Sequence, residues 1–252
     1  MTLLTVAFAA VALVYAMAGF GGGSAYLALF ALCAVPSRSA SVLALICNIV
    51  VVSNTTVSVI RQRKLEFMEV VLFGCFSVPS AWCGARLRLS DRALDLALAI
   101  ALGIAAISLA HPRRAVEPGA VAVRSKYQRI TLAAALAIPT SLVGGIVGIG
   151  GGVFLSPALH WLKWNTSQRI AALCSVFILV NSIAGLVGKR NLPDTLHRLH
   201  EWYPLPIAVL LGGAVGTMLL TRRLSNNWIT RVTACIVFVA AIQTLRRFFT
   251  ER

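Results

Sequence analysis

The chain has 252 residues, 58% hydrophobic and only 12% charged, and its mean hydropathy is +0.84. An ordinary soluble domain carries about 25% charged residues, so a soluble enzyme, a disulfide scaffold and a disordered chain are all disfavoured, and an all-α polytopic membrane protein remains. The net charge of +15 sits in the short breaks between apolar runs, as at Arg61, Arg63 and Lys64. That is the positive-inside bias of membrane loops, not a nucleic-acid footprint and not evidence for an anionic substrate.

A helix rises 1.5 Å per residue and must cross about 30 Å of hydrocarbon. Apolar stretches of that length fall at about residues 2–19, 40–60, 68–86, 92–110, 130–148, 169–188, 203–221 and 228–246. Two more, about 24–35 and 152–162, are too short to cross. The start of the chain lacks the basic region of a cleaved signal peptide and reads as the first span. The longest polar gap, from Ala110 to Arg129, divides the chain into a first repeat (1–110), a linker (111–129) and a second repeat (130–252). Cys33, Cys47, Cys75, Cys83, Cys174 and Cys235 have no metal or disulfide spacing and read as small buried side chains.

The two repeats resemble each other. Gly19-Phe20-Gly21-Gly22-Gly23 matches Gly148-Ile149-Gly150-Gly151-Gly152 at an offset of 129, with four of five positions identical. Each run follows an apolar span and precedes a short piece, and each short piece leads through a polar knot (Pro36 to Ser39, Asn165 to Arg169) into a long span. Gly84 to Leu87 parallels Gly216 to Leu219. The expected fold is therefore two pseudo-symmetric repeats, with about eight transmembrane helices and two Gly-interrupted half-helices. With eight crossings the repeats share one orientation, and Lys plus Arg divide 14 against 9 between the faces. With ten crossings they are inverted, and the division is 13 against 10. The larger bias favours eight crossings, with both termini and the linker cytoplasmic.

Consecutive glycines cost a helix about 1 kcal/mol each relative to alanine. Irregular backbone at membrane depth persists only where it is buried in protein or lines a wet cavity. A helix restarting after such a break offers free N–H groups and the positive end of its dipole, an anion site needing no charged side chain. Glycine also serves close helix packing, but recurrence ahead of an under-length helix in both halves is the usual pointer to a transporter's central site. Candidate binding residues are thus Gly21, Gly22, Gly23 and Ser24 in the first elbow and Gly150, Gly151 and Gly152 in the second, where Val153 replaces the serine. Asn48 and Asn54 on the second long span, and Asn181 with Ser182 on its counterpart, are further candidates, although asparagine in a span often only bonds a neighbouring helix. Arg38 and Arg169 border these helices; they either snorkel to the interface or attract and gate an anion. Tyr15, Tyr26 and His160 are weaker candidates.

All eight acidic residues lie in loops or near span ends, so no central carboxylate relays protons or holds sodium. There is no Walker loop, metal cluster or nucleophile with a base partner, and neither a cofactor nor enzymatic chemistry is expected.

The elbows carry a family resemblance. Gly19 to Gly23 (GFGGG), Gly145 to Pro157 (GIVGIGGGVFLSP), Arg169 to Cys174 (RIAALC), and the blocks Gly84 to Leu87 and Gly212 to Gly216 resemble the sulfite exporter TauE/SafE family, the four-TMS-duplicated sulfate/sulfite/organosulfonate exporters. Ala28 stands at the position matching Pro157, where a proline often occurs in that family. The resemblance implies a multi-pass transporter of the bacterial inner membrane, exporting sulfite, sulfoacetate or a related sulfur oxyanion. The residues themselves specify only a small anion. An anion channel, an importer of the same substrates and a non-transporting membrane scaffold stay open as alternatives, as does the oligomeric state, a homodimer included.

Overall fold

The computed structural model describes residues 2–17, 19–62, 65–87, 89–110, 125–190, 192–193, 202–220, 238, 241–242 and 244–246. Among them there is no strand. Nine helices carry the argument: α1 (Thr2–Met17), α2 (Gly23–Leu32), α3 (Ser37–Arg61), α4 (Phe67–Arg86), α5 (Asp91–Ala110), α6 (Lys126–Val147), α7 (Gly152–Trp161), α8 (Ser167–Gly188) and α9 (Pro204–Leu220). Four of them, α3, α4, α6 and α8, are long and apolar enough to cross a membrane. Residues 111–124 of the expected linker (111–129) and most of the expected span 228–246 lie outside the described residues, as does Cys235, while residues 126–129 already belong to α6.

The outward faces are greasy, as lipid requires. Ile100, Ile104 and Ile107 of α5 are 54%, 52% and 58% exposed, and Phe67, Met68 and Met218 more so. In water such a surface would be an aggregation liability; in a bilayer it is solvated. The same logic corrects the reading of the cysteines: Cys47 and Cys174 are buried, but Cys33, Cys75 and Cys83 are exposed on the outer surface. An apolar run in lipid need not face a core.

Small residues set the helix crossings. A Cβ on Gly84 or Gly145 would strike the backbone of Leu142 or Ala81, so α4 and α6 touch backbone to backbone. Gly212 and Gly216 meet Ala9 and Leu13 in the same way and bring α9 onto α1. These contacts also set directions. Glu69 meets Arg129 near the starts of α4 and α6 while Gly84 meets Leu142 near their ends, so the two run parallel. Helix α9 runs parallel to α1 (Ala9 with Gly212, Leu13 with Gly216) and to α3 (Val51 with Gly213, Thr55 with Thr217). Phe73 packs on Phe177 and Trp82 on Gly188, so α8 runs with α4. By contrast Leu45 of α3 lies against Gly185, late in α8, whereas Val52 neighbours Gly21 and Gly19 rests on Ala171, early in α8. Helices α3 and α8 are antiparallel.

Helices α1 and α3 therefore point the same way, and the short α2 between them carries the chain back. The eight-crossing expectation, in which α1 and α3 oppose each other, departs from this geometry. A ten-residue helix spans only about 15 Å, yet with its flanking glycines it completes the return.

Local backbone structure recurs at the offset of 129. Gly22 and Gly151 cap α2 and α7 in the left-handed region, with φ of 86° and 78°. The bonds Phe20 N–H to Tyr15 O (2.8 Å) and Val35 N–H to Phe30 O (3.0 Å) have counterparts in Ile149 N–H to Gly144 O (3.1 Å) and Trp164 N–H to Leu159 O (2.9 Å). Even the two non-glycine residues with positive φ, Ala34 (60°) and Lys163 (49°), occupy matching positions after α2 and α7.

Candidate functional site

The two glycine elbows meet in the middle of the molecule, and Asn48 joins them. Its side chain is fully buried, and its Nδ2 donates to Ile149 O at 3.0 Å, inside the second elbow. The same side chain packs on the first elbow: a Cβ at Gly23 would lie 2.5 Å from Nδ2, and one at Gly21 would overlap Oδ1. Only glycine lets the backbone approach this closely. At Gly22 and Gly151 glycine is also required because L residues rarely adopt the positive φ of these caps.

Each elbow ends in a helix start. The first intrahelical bond of α2 runs from Tyr26 N–H to Gly22 O at 2.9 Å, so the amides of Gly23, Ser24 and Ala25 have no acceptor within the helix. In α7 the first is Phe154 N–H to Gly151 O at 3.1 Å. Both helix starts are buried, which makes their partial positive charges effective.

Of the candidates, Gly21 to Ser24, Asn48, Gly150 to Gly152, Asn181 and Ser182 all belong to this centre. Ser24 Oγ lies 3.3 Å from Tyr15 Oη. Ser182 sits against Gly150, whose added Cβ would lie 2.7 Å from Oγ. Asn181 Nδ2 donates to Ser141 Oγ at 3.0 Å, so it ties α8 to α6 beside the second elbow. Asn54 does not join them. Six residues beyond Asn48 it points to another side of α3 and lines a groove beside α9 with Arg61 and Met218. His160 donates from Nδ1 to Ser156 O at 2.8 Å beside the exposed Trp161, an interfacial placement.

Arg38 and Arg169 are not at the elbows, and they lie at opposite ends of the molecule. Arg38 pairs with Asp91 and donates to Leu89 O at 2.9 Å. Arg169 pairs with Glu66. Each is thus held by a carboxylate.

Ser41 and Thr55 escaped the sequence reading, although with the candidate Asn48 they recur every seven residues and form one stripe of α3, a periodicity that could have been read directly. Ser41 faces Gly148, and Tyr26 places its ring within 3.0–3.2 Å of a Cβ on Gly22. The buried Tyr26 Oη, Ser41 Oγ, Asn48 Oδ1, Ser156 Oγ, Asn181 Oδ1 and Ser182 Oγ all lack a hydrogen-bond partner. Native interiors leave few such groups unsatisfied; Asn54 Nδ2, Thr56 Oγ1 and Ser77 Oγ lack a partner elsewhere, and the other six lie on the elbows, their short helices and the neighbouring faces of α3 and α8.

At the end where α4 and α6 begin, Glu69 is 3% exposed. It accepts from Arg129 (2.8 Å), Trp164 Nε1 (2.9 Å) and Asn165 (3.4 Å). Together with the Glu66–Arg169 pair it fastens α4 to α6 and to the loop before α8.

A lipid-facing helical shell around broken helices and a buried polar centre defines a multi-pass membrane protein. The profile of the family described as sulfite exporter TauE/SafE matches residues 3–244, and the chain belongs to that family. It is 29% identical over 243 residues, 96% of its own length and 97% of the relative's, to a protein of Sinorhizobium fredii (strain NBRC 101917 / NGR234) named probable membrane transporter protein y4hK. Two proteins of Xylella fastidiosa (strains 9a5c and Temecula1 / ATCC 700964), each named probable membrane transporter protein, are 28% identical over 184 residues, 71% of this chain and 69% of theirs. These names describe transport, not catalysis. No solved structure matches the chain.

Proposed function

We propose that the protein exports a small sulfur oxyanion, sulfite, sulfoacetate or a related organosulfonate, across the bacterial inner membrane by alternating access around the joined elbows. The observation that carries this reading is Asn48, which bonds the second elbow while packing on the first. One ligand there meets two helix starts at once. Sulfite and sulfonates present several acceptor oxygens, suited to converging amides and to the hydroxyls of Ser24, Ser41 and Ser182. The substrate class is supported by the family; the physical site asks only for a small anion.

The two halves act as inverted repeats in this mechanism. The antiparallel α3 and α8 and the backbone bonds recurring 129 residues apart support that arrangement. So do the paired crossings, Gly84 on Leu142 and Gly216 on Leu13. Each half rocks against the other about the centre. The termini share one face and the linker lies on the other, where 13 of the 23 Lys and Arg residues fall, so the linker face is cytoplasmic. Arg38–Asp91 and Arg169–Glu66 close the two faces in turn.

Leaving a cell with a negative interior is downhill for a monovalent anion by about 2.3 kcal/mol per 100 mV, so uniport suffices. The test is efflux of sulfite, sulfoacetate and chloride from proteoliposomes at varied imposed potential. Saturable efflux of the sulfur anions, accelerated by an inside-negative potential, is expected. Flux no greater than from protein-free vesicles overturns the function, and strict dependence on a proton gradient overturns uniport.

A further inference from the structure

Where α3 and α5 begin and α4, α6 and α8 end, a recess of about 250 Å³ opens between the helices. Four of its lining side chains are cations, Arg38, Arg86, Lys189 and Arg190, and among the described residues no carboxylate lines it. Asp91 stands outside the recess, paired with Arg38, and Arg86 lies over the Trp82 ring, 4.5 Å from its centroid. Lys189 is placed differently. Its Nζ donates to Ile146 O at 2.7 Å, at the carbonyl end of α6, and among the described residues it has no carboxylate partner. Burial, and then the neighbouring Arg38, lower its pKa to about 8. An ammonium crowded by like charges and stripped of water is stabilised by an anion.

Helix α3 runs from the recess, where Arg38 lines it, to the elbows, where Asn48 packs. Ser41, one turn beyond Arg38, has an unpartnered buried hydroxyl against Gly148. Asn48 is ten residues from Arg38, about 15 Å along the helix axis at 1.5 Å per residue. The volume accommodates a tetrahedral oxyanion with a few waters, each taking about 30 Å³.

We propose that this recess is a second anion site, a waypoint between bulk solvent and the elbows that takes a small oxyanion of the sulfate, sulfite or phosphate class, with Lys189 setting its affinity. The waypoint role rests on the transport reading; the binding does not. The charged groups facing Lys189 are Arg38 from α3, with Asp91 of α5 paired to it, Arg86 from α4, and the adjacent Arg190, while α6 offers the Ile146 carbonyl. Lys189, with its pKa lowered to about 8, loses charge between pH 7 and 9.

The experiment is calorimetric titration of the purified full chain in neutral detergent with sulfate, whose own charge is constant over that range. Wild-type affinity falls about tenfold from pH 7 to pH 9, the loss of one charge-assisted hydrogen bond. Lys189→Gln starts about tenfold weaker at pH 7 and loses the pH dependence, and Lys189→Arg keeps its affinity at pH 9. Sulfate binding unchanged in Lys189→Gln, or undetectable in the wild type, overturns the proposal. Repeating the titration in nanodiscs of phosphatidylcholine, alone and mixed with phosphatidylglycerol, separates the sources of the oxyanion. Lys189-dependent affinity that survives the anionic lipid assigns the site to a free anion, and Lys189-dependent displacement assigns it to a headgroup phosphate. Sulfite efflux distinguishes the two readings. Lys189-dependent binding without flux in the wild type refutes transport and spares the site; flux without such binding refutes the site and spares transport.

Discussion

Replacing Gly151 by alanine tests the elbow as a physical object. Its φ is +78°, and the added Cβ would lie 2.7 Å from Thr140 O and 3.3 Å from the Phe177 ring. The left-handed backbone costs an L residue roughly 1–2 kcal/mol. Crowding a backbone carbonyl in a close-packed interior adds roughly 1–3 kcal/mol. The sum, about 2–5 kcal/mol, lowers the apparent melting temperature on the order of 10 °C for a chain of this size. Gly74 is the matched control, because it is helical and its Cβ would meet nothing within 4 Å. Gly74→Ala should gain up to about 1 kcal/mol from helix propensity. Thermal unfolding of both variants in the same detergent, read by thiol-reactive or intrinsic fluorescence, makes the comparison. If Gly151→Ala melts with the wild type, or Gly74→Ala falls as far as Gly151→Ala, the elbow is not the strained, space-limited turn described here.

Three further outcomes are expected. Asn48→Leu leaves Ile149 O without its donor, costs about 1–3 kcal/mol and stops sulfite efflux, whereas Asn54→Leu, away from the elbows, leaves efflux near the wild-type rate; equal behaviour in proteoliposomes contradicts the placement. Glu69→Ala leaves Trp164 Nε1 and Asn165 without their acceptor and loosens Arg129, which keeps Glu66 at 4.0 Å, and destabilises by about 1–3 kcal/mol, while Glu69→Gln, which keeps an acceptor oxygen, costs less; thermal melts rank the two. Reporter fusions at either terminus and in the linker should report opposite faces of the membrane, with the linker cytoplasmic, and a shared face for all three refutes the inverted arrangement.

Much of the frame was legible because the bilayer imposes simple arithmetic. Short pieces expected at about 24–35 and 152–162 are the helices Gly23–Leu32 and Gly152–Trp161, since glycine breaks and polar knots delimit them. Direction was not legible. Whether a ten-residue helix turns the chain back depends on contacts such as Leu45 with Gly185, which join residues far apart in sequence, and the thin division of basic residues between the faces favoured the other answer. Polar residues inside spans were visible, but their partners were not. Nothing local says that Asn48 bonds Ile149 while Asn54, on the same helix, faces another way. Arg38 and Arg169 showed their charge in the sequence but not the Asp91 and Glu66 that hold it. Lys189 read as one more loop cation because its seclusion is made by four other helices.

Whether both broken helices grip one ligand is answered most directly by hydrogen exchange of the amides from Gly22 to Ala25 and from Gly151 to Phe154, with and without sulfite. Slower exchange in both segments together, saturating at a single sulfite concentration and abolished in Asn48→Leu, is the predicted result. Protection of one segment alone, or of neither while sulfite is transported, would contradict a shared site at the joined elbows.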